Sequence, residues 1–166
     1  LPFLGDYKLN SVLNYEFTDE NFSPIDRYRP IEFDRDWSLT TAEQRAEDHI
    51  FNFSVGAAKD AANLFNYRIS RRNRDEQVDG VQHYLDVLKT FGKLELRNNF
   101  FVLNSEQGQR ESEWYRGDMG VKYNFGKFSP GYLYRFDKNK IRATGTDSII
   151  GSAMYFEEHQ VFVQSS

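Results

Sequence analysis

The sequence predicts an all-β chain: an antiparallel up-and-down meander of about eight strands, closing a barrel or forming part of a larger one. Three observations carry this. Apolar and polar residues alternate with a period of two in run after run, the period at which strand side chains change face. Turn-forming or polar connections separate the runs. Aromatic residues reach 16% while mean hydropathy is only −0.71, so apolar side chains are abundant but never contiguous. No stretch approaches the roughly 20 apolar residues of a transmembrane helix, a test that alternating membrane strands escape.

The first run, Gly5–Phe17, puts Tyr7, Leu9, Leu13, Tyr15 and Phe17 on one face with Ser11, and Asp6, Lys8, Asn10, Asn14 and Glu16 on the other, with Val12 out of step. Residues 18–48 form the longest break, holding Pro24 and Pro30, which disfavour regular pairing. Thr40 and Glu43 have capping-box spacing for a short helix, so this loop is expected to be partly folded. His49–Ala57 alternates Phe51, Phe53, Val55 and Ala57 against Asn52, Ser54 and Gly56. After a turn at Lys59–Ala62, Asn63–Arg72 alternates Phe65, Tyr67 and Ile69 against Asn66, Arg68 and Ser70. Val81–Thr90 is apolar at Val81, Leu85 and Val87, with His83 interrupting, and Lys93–Leu103 follows a turn at Phe91–Gly92.

The clearest signal is Glu113–Asp137. Tyr115, Gly117, Met119, Val121, Tyr123 and Phe125 oppose Trp114, Arg116, Asp118, Gly120, Lys122 and Asn124. Past Gly126-Lys127 the alternation resumes with flipped parity, Phe128, Pro130, Tyr132, Tyr134 and Phe136 against Ser129, Gly131, Leu133, Arg135 and Asp137. This is an amphipathic hairpin. A last, less regular run covers Ile149–Gln164. Short turns at Lys59, Phe91 and Gly126 alternate with long connections at 18–48, 73–80, 104–112 and 138–148. A meander therefore has tight turns at one end and long loops at the other.

Alternation does not say which face looks inward. A soluble lipocalin-like barrel, binding an apolar ligand inside, has the same strand count. A membrane barrel is inverted, apolar outward. Loop asymmetry, aromatics at the ends of apolar runs and charges of both signs at mid-strand favour the inverted form. On that reading Tyr115, Met119, Val121, Tyr123, Phe125, Tyr132 and Tyr134 face lipid, and Arg68, Asp86, Glu95, Arg97, Arg116, Asp118, Lys122 and Arg135 face the lumen.

With the strands EWYRGDMGVKYNFGKFSPGYLYRF and the loop element RYRPIEFDRDW, the chain resembles the barrel portion of large outer-membrane β-barrel proteins of Gram-negative bacteria, particularly those of Bacteroidetes. The resemblance implies an outer-membrane location, a lipid bilayer as partner and additional strands completing a larger barrel. Residues 1–166 are expected to be one barrel segment, and the opening at Leu1, without methionine or a leader-like stretch, suggests a fragment of a longer protein. The expected role is the wall of a pore, transporter or translocation scaffold, its solute unspecified.

No residue stands out as catalytic, and no cofactor is expected. Net charge of −4 offers no basic face for nucleic acid, and the lack of cysteine removes disulfides and thiolate sites. Asp34 and Asp36, with Glu32, offer oxygens to a hard cation but lack EF-hand spacing. The favoured reading pairs them with Arg27, Arg29 and Arg35, so that Asp34, Arg35, Asp36 and Trp37 pack the loop into or over the barrel mouth. His49, His83 and His159 are not at metal-ligand spacing, and a barrel enzyme with a His/Asp site at the loop end is the remaining alternative. Arg68, Arg71, Arg72 and Arg74 read as a basic patch at a strand end.

Overall fold

The structure is a computed structural model and describes residues 6–22, 36–38, 46–75, 78–151 and 155–165. Eight strands, β1 (Lys8–Thr18), β2 (Asp48–Asp60), β3 (Asn63–Arg74), β4 (Val78–Phe91), β5 (Leu94–Gln107), β6 (Arg110–Tyr123), β7 (Phe128–Ala143) and β8 (Tyr155–Ser165), pair antiparallel in sequence order. This is the predicted meander. The sheet is open, with β1 and β8 as its edges. The predicted helix start at Thr40–Glu43 lies outside the described residues, as do Asp34 and Arg35.

The tight turns form where short polar side chains bond the backbone ahead of them. Asp60 Oδ1 accepts the Ala62 N–H at 2.8 Å, and Asn124 Oδ1 accepts that of Gly126 at 2.8 Å. Asp and Asn favour turns through this kind of bond.

Two connections predicted to be long are short. β3 runs on to Arg74 and β4 already begins at Val78, while β5 continues to Gln107 and turns at Gly108-Gln109 into β6. Gly108 takes a φ of 58°, a left-handed conformation that glycine adopts at little cost. β7 likewise continues to Ala143, past the predicted end at Asp137, and the last strand starts at Tyr155 rather than Ile149. Alternation is legible only while the two faces differ in polarity. Beyond that point both faces are mostly polar, with isolated residues such as Val78 and Ile141, yet the backbone ladder continues, because its hydrogen bonds do not depend on side-chain type. The two ends therefore differ both in the long β1–β2 and β7–β8 connections, which the sequence had indicated, and in how far strands extend beyond the apolar zone.

Register assigns every strand residue to one of two faces. One row across all eight strands is Leu9, Ala57, Phe65, Val87, Asn98, Met119, Tyr134, His159. Within the strands this apolar face carries the exposed large hydrophobic side chains, Val12 and Phe156 excepted, among them Leu13 at 62% and Val161 at 81% exposure. The opposite, polar face carries every buried strand residue that has a side chain: Asp48, Ile50, Ser70, Arg72, Val78, Phe101, Leu103, Ser105 and Ser112.

The segment Asp36–Ser38 lies on that polar face. Trp37, 4% exposed, packs with Phe101 and Leu103, and Tyr84 and Trp114 close around them. Ser105 Oγ donates to the Trp37 carbonyl at 3.0 Å, Gln82 Nε2 to the Asp36 carbonyl at 2.7 Å and Ser112 Oγ to Ser38 Oγ at 2.8 Å. At Gly80 a Cβ would lie 2.9 Å from Trp37 Cε3, so the indole needs the bare backbone there. Burying a side chain of this size is worth on the order of 3 kcal/mol.

Candidate functional site

The apolar face is a bounded belt, and its boundary is not perpendicular to the strands. At the loop end the belt closes with Phe17 on β1, but the row through Phe17 continues as His49, Asn73, Asp79, Glu106, Glu111 and Arg142. It leaves the belt after β2. The row through Leu13 continues as Phe53, Ile69, His83, Val102 and Tyr115 and leaves at Lys138 on β7. Only the row through Leu9 stays inside as far as His159 on β8. The edge thus descends by about one residue per strand, and the opposite edge moves in the same sense, from Leu9 to Val163. A residue rises about 3.3 Å and strands lie about 4.8 Å apart, so a slope of one per strand corresponds to a tilt of about 35°. A plane normal to a barrel axis cuts strands tilted by roughly 35–45° along such a line.

Among the proposed lipid-facing residues, Tyr115, Met119, Val121, Tyr123, Tyr132 and Tyr134 all lie on the apolar face. Phe125 sits in the β6–β7 turn, its ring 4.6 Å from that of Tyr123 and 5.5 Å from that of Phe128. Beside Met119 and Val121 an apolar groove of about 500 Å³ is lined also by Leu96, Tyr132 and Tyr134.

The eight proposed lumen residues, Arg68, Asp86, Glu95, Arg97, Arg116, Asp118, Lys122 and Arg135, share the polar face. Some are paired across the ladder. Lys122 Nζ lies 3.0 Å from Glu95, its direct opposite, and Arg135 lies 3.3 Å from Glu158. Deeper in the face, Arg72 and Asp48 form a bidentate pair, with the shortest contact 2.8 Å and Arg72 only 2% exposed. The run Arg68–Arg74 is not one basic patch: the pleat sends Arg71 to the apolar-face side, where it pairs with Asp79 at 3.0 Å, while Arg68, Arg72 and Arg74 point to the polar face.

All three histidines fall on the apolar face, as the sequence had indicated for His83 by its place among Val81, Leu85 and Val87; their partners were not legible there. Each contacts a tyrosine hydroxyl through Nδ1: His49 with Tyr15 at 2.7 Å, His83 with Tyr67 at 2.8 Å, His159 with Tyr132 at 2.6 Å. In each pair the histidine lies on the following strand, two residues before the tyrosine's cross-strand partner. No one-dimensional spacing reveals this, because it depends on register. The pairing satisfies one ring nitrogen of an imidazole on an otherwise apolar surface. Ser54, Ser70 and Ser129 point to the other face, so no Ser–His pair is assembled there. Among the described residues no cluster of three histidine or carboxylate groups is placed to hold a metal.

At the tight-turn end, outside the belt, Asp60 is held below the usual carboxylate range by a hydrogen bond from the Asn63 side chain and by the Ala62 N–H. Lys59 is pushed up by its hydrogen bond to Asp6 at 2.9 Å. Comparison with protein-family models, curated proteins and solved structures returned no match.

Proposed function

We propose that this chain is a wall segment of an outer-membrane β-barrel serving as a pore, transporter or translocation scaffold. The observation that supports this best is the inversion of the two faces. The apolar side chains are exposed in a tilted belt, and the buried strand side chains belong to the polar face. Apolar runs such as Tyr115–Tyr123 span about nine residues, within the 9–11 that a tilted membrane strand needs. On this reading the belt meets lipid and the charged face meets water.

The bare edges of β1 and β8 are paired by further strands, since an uncovered edge with an apolar face is an aggregation hazard. The polar strand extensions project outside the bilayer, and Asp36–Ser38 folds back onto the lumen wall.

The chain has no cysteine, so single substitutions Met119→Cys and Asp118→Cys each carry one nitroxide without background. In liposomes, the label at 119 is expected to relax with lipid-dissolved oxygen and the label at 118 with a water-soluble nickel chelate. The reverse pattern, or water access at both, overturns the reading.

A further inference from the structure

Not every charge on the polar face is neutralised within the sheet. Register places Arg68, Tyr84, Phe101 and Arg116 directly opposite one another across β3–β6. The Arg68 guanidinium carbon lies 5.4 Å from the Tyr84 ring centre, and that of Arg116 lies 4.9 Å from Phe101 and 5.0 Å from Trp114. Two neighbouring rings thus form a floor, with one arginine over each. The floor is itself held: Phe101 is buried beside Trp37, and Asn99 Nδ2 donates to the Tyr84 hydroxyl. Among the described residues neither arginine is ion-paired. The carboxylates nearby are Asp86 and Asp118 in the adjacent polar-face row and Asp137 opposite Arg116, which accepts the Trp114 Nε1–H. Lys122, Arg135 and Arg72, in contrast, each have a carboxylate within 4 Å.

We propose that Arg68 and Arg116, with the Tyr84–Phe101 floor, form a binding subsite for the carboxylate or phosphate group of a solute. The cation–π contact uses the guanidinium charge and leaves its N–H fork for an acceptor, and it fixes the long side chain before the anion arrives. Carboxylate and phosphate are the planar or multi-oxygen partners that this fork binds in bidentate fashion. Both arginines are solvent-exposed, so the site is open to a passing solute. The inference rests on reading the polar face as a lumen, which also separates it from lipid headgroups.

The test uses the full chain in phospholipid-free detergent, titrated with inorganic phosphate and separately with acetate, and followed by calorimetry and by indole fluorescence, Trp114 lying against Arg116. Saturable binding is expected, weakened roughly tenfold by either Arg68→Gln or Arg116→Gln. Lys8→Gln, on the same face but on β1, is expected to leave it unchanged. Absence of saturable binding by both anions, or equal weakening by all three variants, overturns the site. Circular dichroism and gel migration of each variant establish that it is folded. The nitroxide experiment at 118 and 119 reports on the wall reading independently: binding with a reversed label pattern keeps the subsite and removes the lumen.

Discussion

On the polar face Leu103 is inaccessible to solvent and Arg72 nearly so, while on the apolar face Leu13, Tyr15, Val161 and Val163 are each more than half exposed. In a water-soluble sheet the assignment runs the other way, with the apolar side taken out of water. The polar face achieves burial by filling itself. Trp37 enters over Gly80, Asp48 and Arg72 neutralise each other, and Ser105 and Ser112 bond the incoming loop segment. Among the described residues the apolar face buries no strand side chain: its rings touch side by side, as Phe100 and Phe136 do at 5.9 Å, and its histidines bond tyrosine hydroxyls. One face is completed from within the chain, and the other has the composition of a surface that something apolar covers.

The largest effect is expected from Asp48→Ala, which leaves the guanidinium of Arg72 buried without its bidentate carboxylate. Breaking a buried pair this way costs on the order of 3–5 kcal/mol, read as a lower denaturation midpoint in micelles and as loss of the heat-resistant band on gels. Next is Met119→Arg in the belt, expected to cost about 2–4 kcal/mol near a bilayer midplane in vesicle-based unfolding, whereas Asp118→Arg on the neighbouring position stays within about 0.5 kcal/mol. Equal penalties at both positions would erase the distinction between the faces. Tyr67→Phe removes one Tyr–His hydrogen bond and is expected to cost about 1 kcal/mol, with a smaller effect in detergent that wets His83.

The smallest effect concerns the tight-turn end. Asp60 has its carboxyl depressed mainly by Asn63, so its contribution is fully present above the ordinary carboxylate pKa and is lost as pH falls through the lower folded value. Asp60→Asn is therefore expected to lower the denaturation midpoint slightly at neutral pH and to flatten the acid limb of the stability profile, the two curves converging as pH falls below the folded value.

How much of this was legible in the sequence follows from where side-chain contrast exists. Glu113–Asp137 declared its strands, its turn and the face of every residue, because apolar and polar positions differ at each step. Asn104–Gln107 read as a loop because both faces there are polar, and Val78–Asp79 because a single valine among charged and polar neighbours shows no alternation, while a pairing backbone leaves no mark on composition. The polar-face and apolar-face sets were separable by parity alone. Their electrostatic fates were not: Arg135 finds Glu158 and Arg72 finds Asp48, while Arg68 and Arg116 settle over rings. The histidines looked isolated for the same reason, since each partner tyrosine is 16 to 34 residues away in the chain.

By itself the sequence determined the strand class, the meander and the membership of each face, since a period of two is a local property of the pleated backbone. The tertiary structure decided which face is buried, where Trp37 docks, how far the strands extend and that the belt's edge slopes across them. These depend on register, and register is settled by contacts between residues distant in the chain, which no local pattern encodes.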